Sequence, residues 1–90
     1  MAHRTQEELR HELDAAREVV EVGGTYVHFK NPDREYVVRG LAILEATEEV
    51  AVLYEAQYGE KIAFIRPLLN FIAPVEHEGQ SVLRFQKVVR

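Results

Sequence analysis

The sequence predicts a mainly β protein with a single helix at its N-terminus. Three features support this fold class: a helix-capping pattern near the start, two adjacent glycines at residues 23–24, and short runs rich in valine, isoleucine and aromatic residues beyond them. Runs of this kind, separated by turn residues, are typical of β-strands. The 90 residues are 47% hydrophobic and 29% charged, which is typical of one globular domain with one core.

The predicted helix begins after Thr5. In the Thr-x-x-Glu pattern formed with Glu8, the hydroxyl and the carboxylate each accept a backbone N–H that the first helical turn leaves without a partner. An apolar stripe follows at spacings of four, three and four residues, formed by Leu9, Leu13, Ala16 and Val20. Since glycine adopts the left-handed conformation that ends helices, residues 23–24 predict an end near Glu21.

Five runs after the glycines predict strands, at residues 25–30, 35–44, 50–58, 61–66 and 82–89. Gly40 inside the second run predicts a bulge or bend. Gly59 and Glu60 separate the third and fourth runs and predict a hairpin. Residues 68–72 are apolar but short, and both a helical turn and an extended segment remain open.

About five short antiparallel strands with a bend in the second predict a small SH3-like barrel, because closure removes exposed sheet edges. We divide the chain into residues 1–23, an amphipathic helix, and residues 24–90, the barrel domain. The helix would cover one end of the barrel or pair with a second copy, so a homodimer through the helix is a further prediction.

Composition excludes several classes of protein. The chain has no cysteine, which excludes disulfides and thiolate metal sites and favours a reducing compartment. It also has no apolar run long enough to cross a membrane and no secretory signal, so we expect a cytoplasmic protein without membrane contact. The net charge of −4 argues against general nucleic-acid binding.

One face of the predicted sheet could hold a ligand. Alternation along the first strand places Tyr26, His28 and Lys30 on the same face. Side chains of neighbouring strands could join them to form an aromatic and cationic pocket; these are Tyr54, Tyr58 and Arg66, with Arg84 as a possible addition. Arginine binds phosphate or carboxylate with two parallel hydrogen bonds, and histidine exchanges a proton near neutral pH. An anion would suit this pocket.

A purely structural role for the same residues is the alternative. The tyrosines would then be amphipathic residues at the edge of the core, and His28 would be a histidine satisfied within the fold. Arg66 would pair with a carboxylate, for which Glu49 and Glu55 are the candidates.

Other chemistry has little support in the sequence. The histidines at positions 3, 11, 28 and 77 lack the spacing of a metal site, so we expect neither a metal nor a cofactor. Ser81 is the single serine and lies in no nucleophile motif, and no phosphate-binding loop is present. Basic residues at the C-terminal edge, which are Arg84, Lys87 and Arg90, leave single-stranded nucleic acid as an alternative, although the nine acidic residues of the same domain dilute any continuous basic patch.

Several short motifs occur in an order that resembles a known family. They are Gly-x-Tyr-x-His-Phe-Lys at residues 24–30, Thr47 and Glu49 before Val52-x-Tyr54, Tyr58-Gly59, Arg66-Pro67-Leu68 with Phe71, and Arg84-Phe85. Over residues 24–88 the chain resembles the bacterial domain of unknown function family 1653 (DUF1653). It departs from the family pattern at Phe64, where tryptophan is common, and at Asn70, where methionine is usual. The resemblance implies a small bacterial barrel protein without an assigned activity.

From these observations we expect a binding module that recognises a peptide, a protein or a small anionic ligand through its aromatic and arginine face, rather than an enzyme. Two alternatives remain. One is a barrel that binds single-stranded nucleic acid. The other is a small enzyme in which His28 is the general base and Arg66 holds an anionic substrate.

Overall fold

A computed structural model describes residues 4–89, which form two helices, a five-stranded antiparallel sheet and a separate two-stranded hairpin. Two residues considered above, His3 and Arg90, lie outside the described residues. Neither helix within residues 4–89 is long and apolar enough to cross a membrane.

The N-terminal helix, α1, extends over Gln6–Val19 and begins with the predicted capping box. The Thr5 hydroxyl accepts from the Glu8 N–H at 3.1 Å, and the Glu8 carboxylate accepts from the Thr5 N–H at 2.8 Å. The helix ends two residues earlier than the prediction near Glu21, because Val20 takes an extended conformation (φ −129°). On the apolar stripe Ala16 and Val20 are buried, while Leu9 and Leu13 are half-buried.

The mainly β prediction is confirmed. The strands are β1 (Thr25–His28), β2 (Asn31–Leu44), β3 (Glu49–Ala56), β4 (Ala63–Pro67), β5 (Pro74–His77), β6 (Gln80–Leu83) and β7 (Phe85–Lys87). Five of them form a sheet in the order β4-β3-β2-β1-β7, and β5 pairs with β6 in a separate hairpin. The short helix α2 (Leu68–Phe71) settles the segment that the sequence left open.

The C-terminal part differs from the prediction. The run at residues 82–89 is two strands, β6 and β7, which belong to different sheets and are separated at Arg84. Strand β5 was not predicted, because its four residues include a proline and two ionisable side chains. Within residues 4–89 the five-stranded sheet is not closed, since its outer strands β4 and β7 do not pair with each other.

The core lies between one face of the sheet and the two helices. Tyr26, Val38, Val52, Tyr54 and Phe85 point from the strands into this space. Val20 at the end of α1 and Phe71 of α2 cover them, and each is only 1% exposed. The bulge predicted at Gly40 is confirmed, because the register between β2 and β3 shifts between Val38 and Gly40. The face that carries Tyr54 also carries the candidate site.

Two glycines should respond differently to alanine. Gly23 has φ +87°, where a Cβ atom is strained, and its N–H donates to the Val38 carbonyl at 2.7 Å. Gly23→Ala should therefore lower the free energy of unfolding by about 1 to 2 kcal/mol. A Cβ atom at Gly40 meets nothing within 4 Å. Gly40→Ala should therefore change the free energy of unfolding by no more than about 0.5 kcal/mol, or should stabilise the strand. Urea unfolding of both variants tests this; equal losses would contradict it.

Candidate functional site

The Arg66 guanidinium is held in one orientation by three neighbours. Arg66 lies in β4 directly opposite Val52, on the face of the sheet that carries the core. Its Nε donates to the Tyr54 hydroxyl at 3.1 Å, and its Nη1 donates to Oδ1 of Asn70 at 2.6 Å. The guanidinium carbon lies 5.2 Å from the centre of the Phe85 ring. Uncharged groups therefore position this arginine.

Arg84 is held beside α2, the short helix that contains Asn70. Its backbone N–H donates to the Ala73 carbonyl at 3.1 Å, and its carbonyl accepts from the Phe29 N–H at 3.0 Å. The side-chain Nε donates to the backbone carbonyl of Asn70 at 3.0 Å. Asn70 thus accepts from both arginines, through its side chain and through its backbone. The two guanidinium groups are brought to one end of α2.

No carboxylate within residues 4–89 pairs with either arginine. The alternative in which Arg66 pairs with Glu49 or Glu55 is wrong. Glu55 pairs instead with Arg39 at 2.9 Å, and Glu49 accepts from the Thr47 hydroxyl at 2.9 Å. Two positioned positive charges therefore remain without a negative partner in the described part of the chain.

His28 adds a titratable group to this region. Its ring packs edge-on against Phe85, with 5.0 Å between ring centres, and its Nδ1 accepts from the Lys30 N–H at 3.2 Å. Partial burial lowers the pKa of His28, and the positive charges of Arg66, Arg84 and Lys30 lower it further. The neutral ring can keep its bond from Lys30, because a protonated Nδ1 could no longer accept.

The other two predicted site residues use their hydroxyls elsewhere in the chain. The Tyr26 hydroxyl accepts from the Glu21 N–H at 3.0 Å, and its buried ring packs against Phe71. The Tyr58 hydroxyl lies 2.7 Å from that of Tyr36, and burial together with this hydrogen bond raises the pKa of Tyr36 to about 12. The structure thus gathers Tyr54, Arg66, Arg84 and His28, with Tyr26 and Tyr58 engaged outside this group. Lys30 lies in the turn after β1, and its ammonium group is 5.9 Å from the centre of the Phe29 ring.

The model of a family described as a protein of unknown function, DUF1653, matches residues 24–87. The chain belongs to the DUF1653 family. A crystal structure of another DUF1653 protein, from Bordetella bronchiseptica, is similar at 29% identity and a TM-score of 0.64, covering 73% of this chain and 85% of that one. No curated protein matches. The resemblance inferred from the sequence motifs is confirmed.

The DUF1653 match extends from β1 to β7 and includes every predicted site residue, whereas α1 precedes it. Sequence reasoning missed Asn70 as a site residue, although it is a single polar side chain in the apolar run at residues 68–72. That polar interruption was the available signal. In residues 4–89 no three His, Asp or Glu side chains are grouped so that they could hold a metal ion.

The lowered pKa of His28 predicts that this protein loses stability in mild acid. The unfolded histidine binds a proton near its ordinary pKa, while the folded one binds it only at lower pH. Stability contributed by the neutral His28 should therefore be lost as the pH falls from about 7 through the folded pKa. His28→Gln should flatten this dependence in urea unfolding between about pH 7.5 and 5. An unchanged slope would contradict the prediction.

Proposed function

We propose that this protein is a binding module for an anionic ligand that carries a phosphate or carboxylate group. Arg66 and Arg84 would bind the anion, and His28 and Lys30 would lie beside it. The observation that supports this is that both arginines donate to Asn70 while neither has a carboxylate partner within residues 4–89. A guanidinium group that still has N–H donors available can bind a phosphate or carboxylate through two parallel hydrogen bonds.

The surroundings of Arg66 favour a ligand role. Tyr54 and Phe85 are each 5% exposed and form an apolar wall behind the guanidinium. Charge-assisted hydrogen bonds are stronger where water is excluded. The contacts to Tyr54 and Asn70 also fix the side chain before any ligand arrives, which reduces the entropy lost on binding. The protein therefore positions the Arg66 guanidinium, and excludes water from one side of it, before an anion binds.

Several finer predictions belong to this proposal. The anion would be part of a peptide, a protein or a small molecule, with Tyr58 as a further contact for a larger ligand; the buried Tyr26 would support the site from within the core. An SH3-like barrel, a cytoplasmic location and a homodimer through α1 remain proposals. The small enzyme with His28 as general base would use the same groups, and it is favoured by the lowered pKa of His28, which partial burial and the neighbouring positive charges cause.

A titration with inorganic phosphate tests the proposal. In ¹H–¹⁵N spectra at low salt, amides near His28, Asn70 and Arg84 should shift and saturate, while chloride at equal ionic strength should not move them. Bound phosphate should also raise the pKa of His28, because the anion offsets the positive charges that lower it. Shifts without saturation, or shifts centred on exposed Lys61 instead, would contradict an anion site at these arginines.

A further inference from the structure

A second surface lies between the two helices. A groove of about 490 Å³ opens there, and its floor is formed by small and aliphatic side chains, namely Ala15, Ala16, Val19, Val50, Leu68 and Leu69. Val19 is 57% exposed and Leu69 is 76% exposed. Scattered apolar side chains are normal on a protein surface, but a contiguous group with a polar rim is typical of an interaction site.

The groove exists because α1 packs against the family domain. Its α1 wall lies outside residues 24–87, while Val50 and α2 lie inside that match. Ala15 and Ala16 are short, so the wall of α1 leaves space above Val50 that longer side chains would occupy. This surface is separate from the two arginines of the proposed anion site, neither of which lines it.

The rim of the groove is acidic. Among the lining residues within positions 4–89, three are carboxylates, those of Glu12, Glu48 and Glu49, and one is a guanidinium, that of Arg4. Arg4 pairs with Glu12, and its backbone N–H donates to the Glu48 carboxylate at 3.2 Å. Negative charge is therefore in excess around an apolar floor, which is complementary to a partner with apolar residues flanked by basic ones.

The same charge argues against a second copy as the occupant. A two-fold interface would place this acidic rim opposite itself, and like charges across an interface cost several kcal/mol. The floor is formed mainly by side chains of α1 and α2, whose backbone groups are bonded within the helices. An extended peptide would therefore find few backbone partners there, whereas a helix satisfies its own.

We propose that this groove binds an amphipathic helix of a partner protein, with leucine-like side chains on one face and lysine or arginine beside them. Apolar residues at positions i, i+3, i+4 and i+7 of the partner would contact Val19, Val50 and Leu69. Its basic residues would face Glu12, Glu48 and Glu49. Binding is expected to weaken with added salt, since the rim charges are exposed to solvent.

Two synthetic peptides of about 18 residues test this, long enough for five helical turns. One has leucines at the helical spacing and lysines elsewhere, and the other has glutamate in place of each lysine. Fluorescence anisotropy should show saturable binding of the lysine peptide alone. Leu69→Ser should weaken it at least about tenfold, as for a residue central to an interface. Ile65→Ser is the matched control, since Ile65 is 67% exposed and does not line the groove.

Each other outcome would overturn the proposal. Equal binding of both peptides would show that the acidic rim does not select a basic partner. If Leu69→Ser and Ile65→Ser lower the affinity for the lysine peptide equally, or if that peptide does not bind, the groove does not bind a helix. If sedimentation shows a concentration-dependent dimer that Leu69→Ser abolishes, the occupant is a second copy. Both substitutions are at exposed positions, and unchanged thermal melts would verify that both variants fold.

Discussion

Replacing Phe71 with alanine is expected to lower the free energy of unfolding by about 3 to 5 kcal/mol. Phe71 is 1% exposed and stacks on Phe85, with 4.2 Å between ring centres and 5° between ring planes. It also packs edge-on against Tyr26 and Tyr54, each at 5.5 Å. Alanine would leave a cavity that these rigid rings cannot close. The loss is a large fraction of the total stability of a small domain.

The same substitution should also release α2. A helix of four residues is not stable alone, so Leu68–Phe71 depends on this packing. Urea unfolding measures the loss, and Leu69→Ala is the matched control in the same helix. Leu69 is 76% exposed, so that change should cost no more than about 0.5 kcal/mol. If Phe71→Ala cost less than about 1 kcal/mol, the core would not be organised around this ring.

Replacing Arg66 with alanine should reduce the affinity for phosphate at least about tenfold, because a charge-assisted pair of hydrogen bonds is lost. Arg66→Lys should restore only part of it. A single ammonium group cannot reproduce the planar fork that donates to Tyr54 and Asn70 while leaving further N–H groups for a ligand. The ¹H–¹⁵N phosphate titration measures the affinity of the unchanged protein, of Arg66→Ala and of Arg66→Lys under identical conditions.

The control for Arg66→Ala is Arg39→Ala. It removes the same charge from an arginine that pairs with Glu55 and has no contact with Asn70. Its phosphate affinity should match that of the unchanged protein. Arg84→Ala should also lower the affinity for phosphate, and this substitution does not alter the sheet. If Arg66→Ala abolishes the cooperative melt and Arg84→Ala leaves phosphate affinity unchanged, the arginines are structural and the anion site is wrong.

Local sequence signals predicted the elements that depend on local interactions. The Thr5 and Glu8 pattern located the start of α1, because both capping bonds join residues three apart. Gly40 located the bulge for a similar reason, as a position without a Cβ atom inside a strand. The end of α1 was less accurate, since the extended conformation of Val20 places its side chain in a core formed by distant strands.

The parts that were missed depend on contacts between distant residues. The β5–β6 hairpin turns through Glu78 and Gly79, both with positive φ, but its four-residue strands are too short and polar to be evident. The sequence left open whether Tyr54 and Arg66 share a face of the sheet, which the pairing of β3 with β4 shows. Nor could the sequence show that Asn70 accepts from both Arg66 and Arg84, which are far apart in the chain.

The most direct test of the anion site is a crystal structure of the protein soaked in selenate, whose anomalous scattering locates the anion. We expect a peak within hydrogen-bonding distance of both the Arg66 and the Arg84 guanidinium groups, with Asn70 still accepting from each. The peak should be absent at these positions in an Arg66→Ala crystal. Selenate bound only at exposed lysines, or both arginines turned toward carboxylates of the chain, would contradict the proposal.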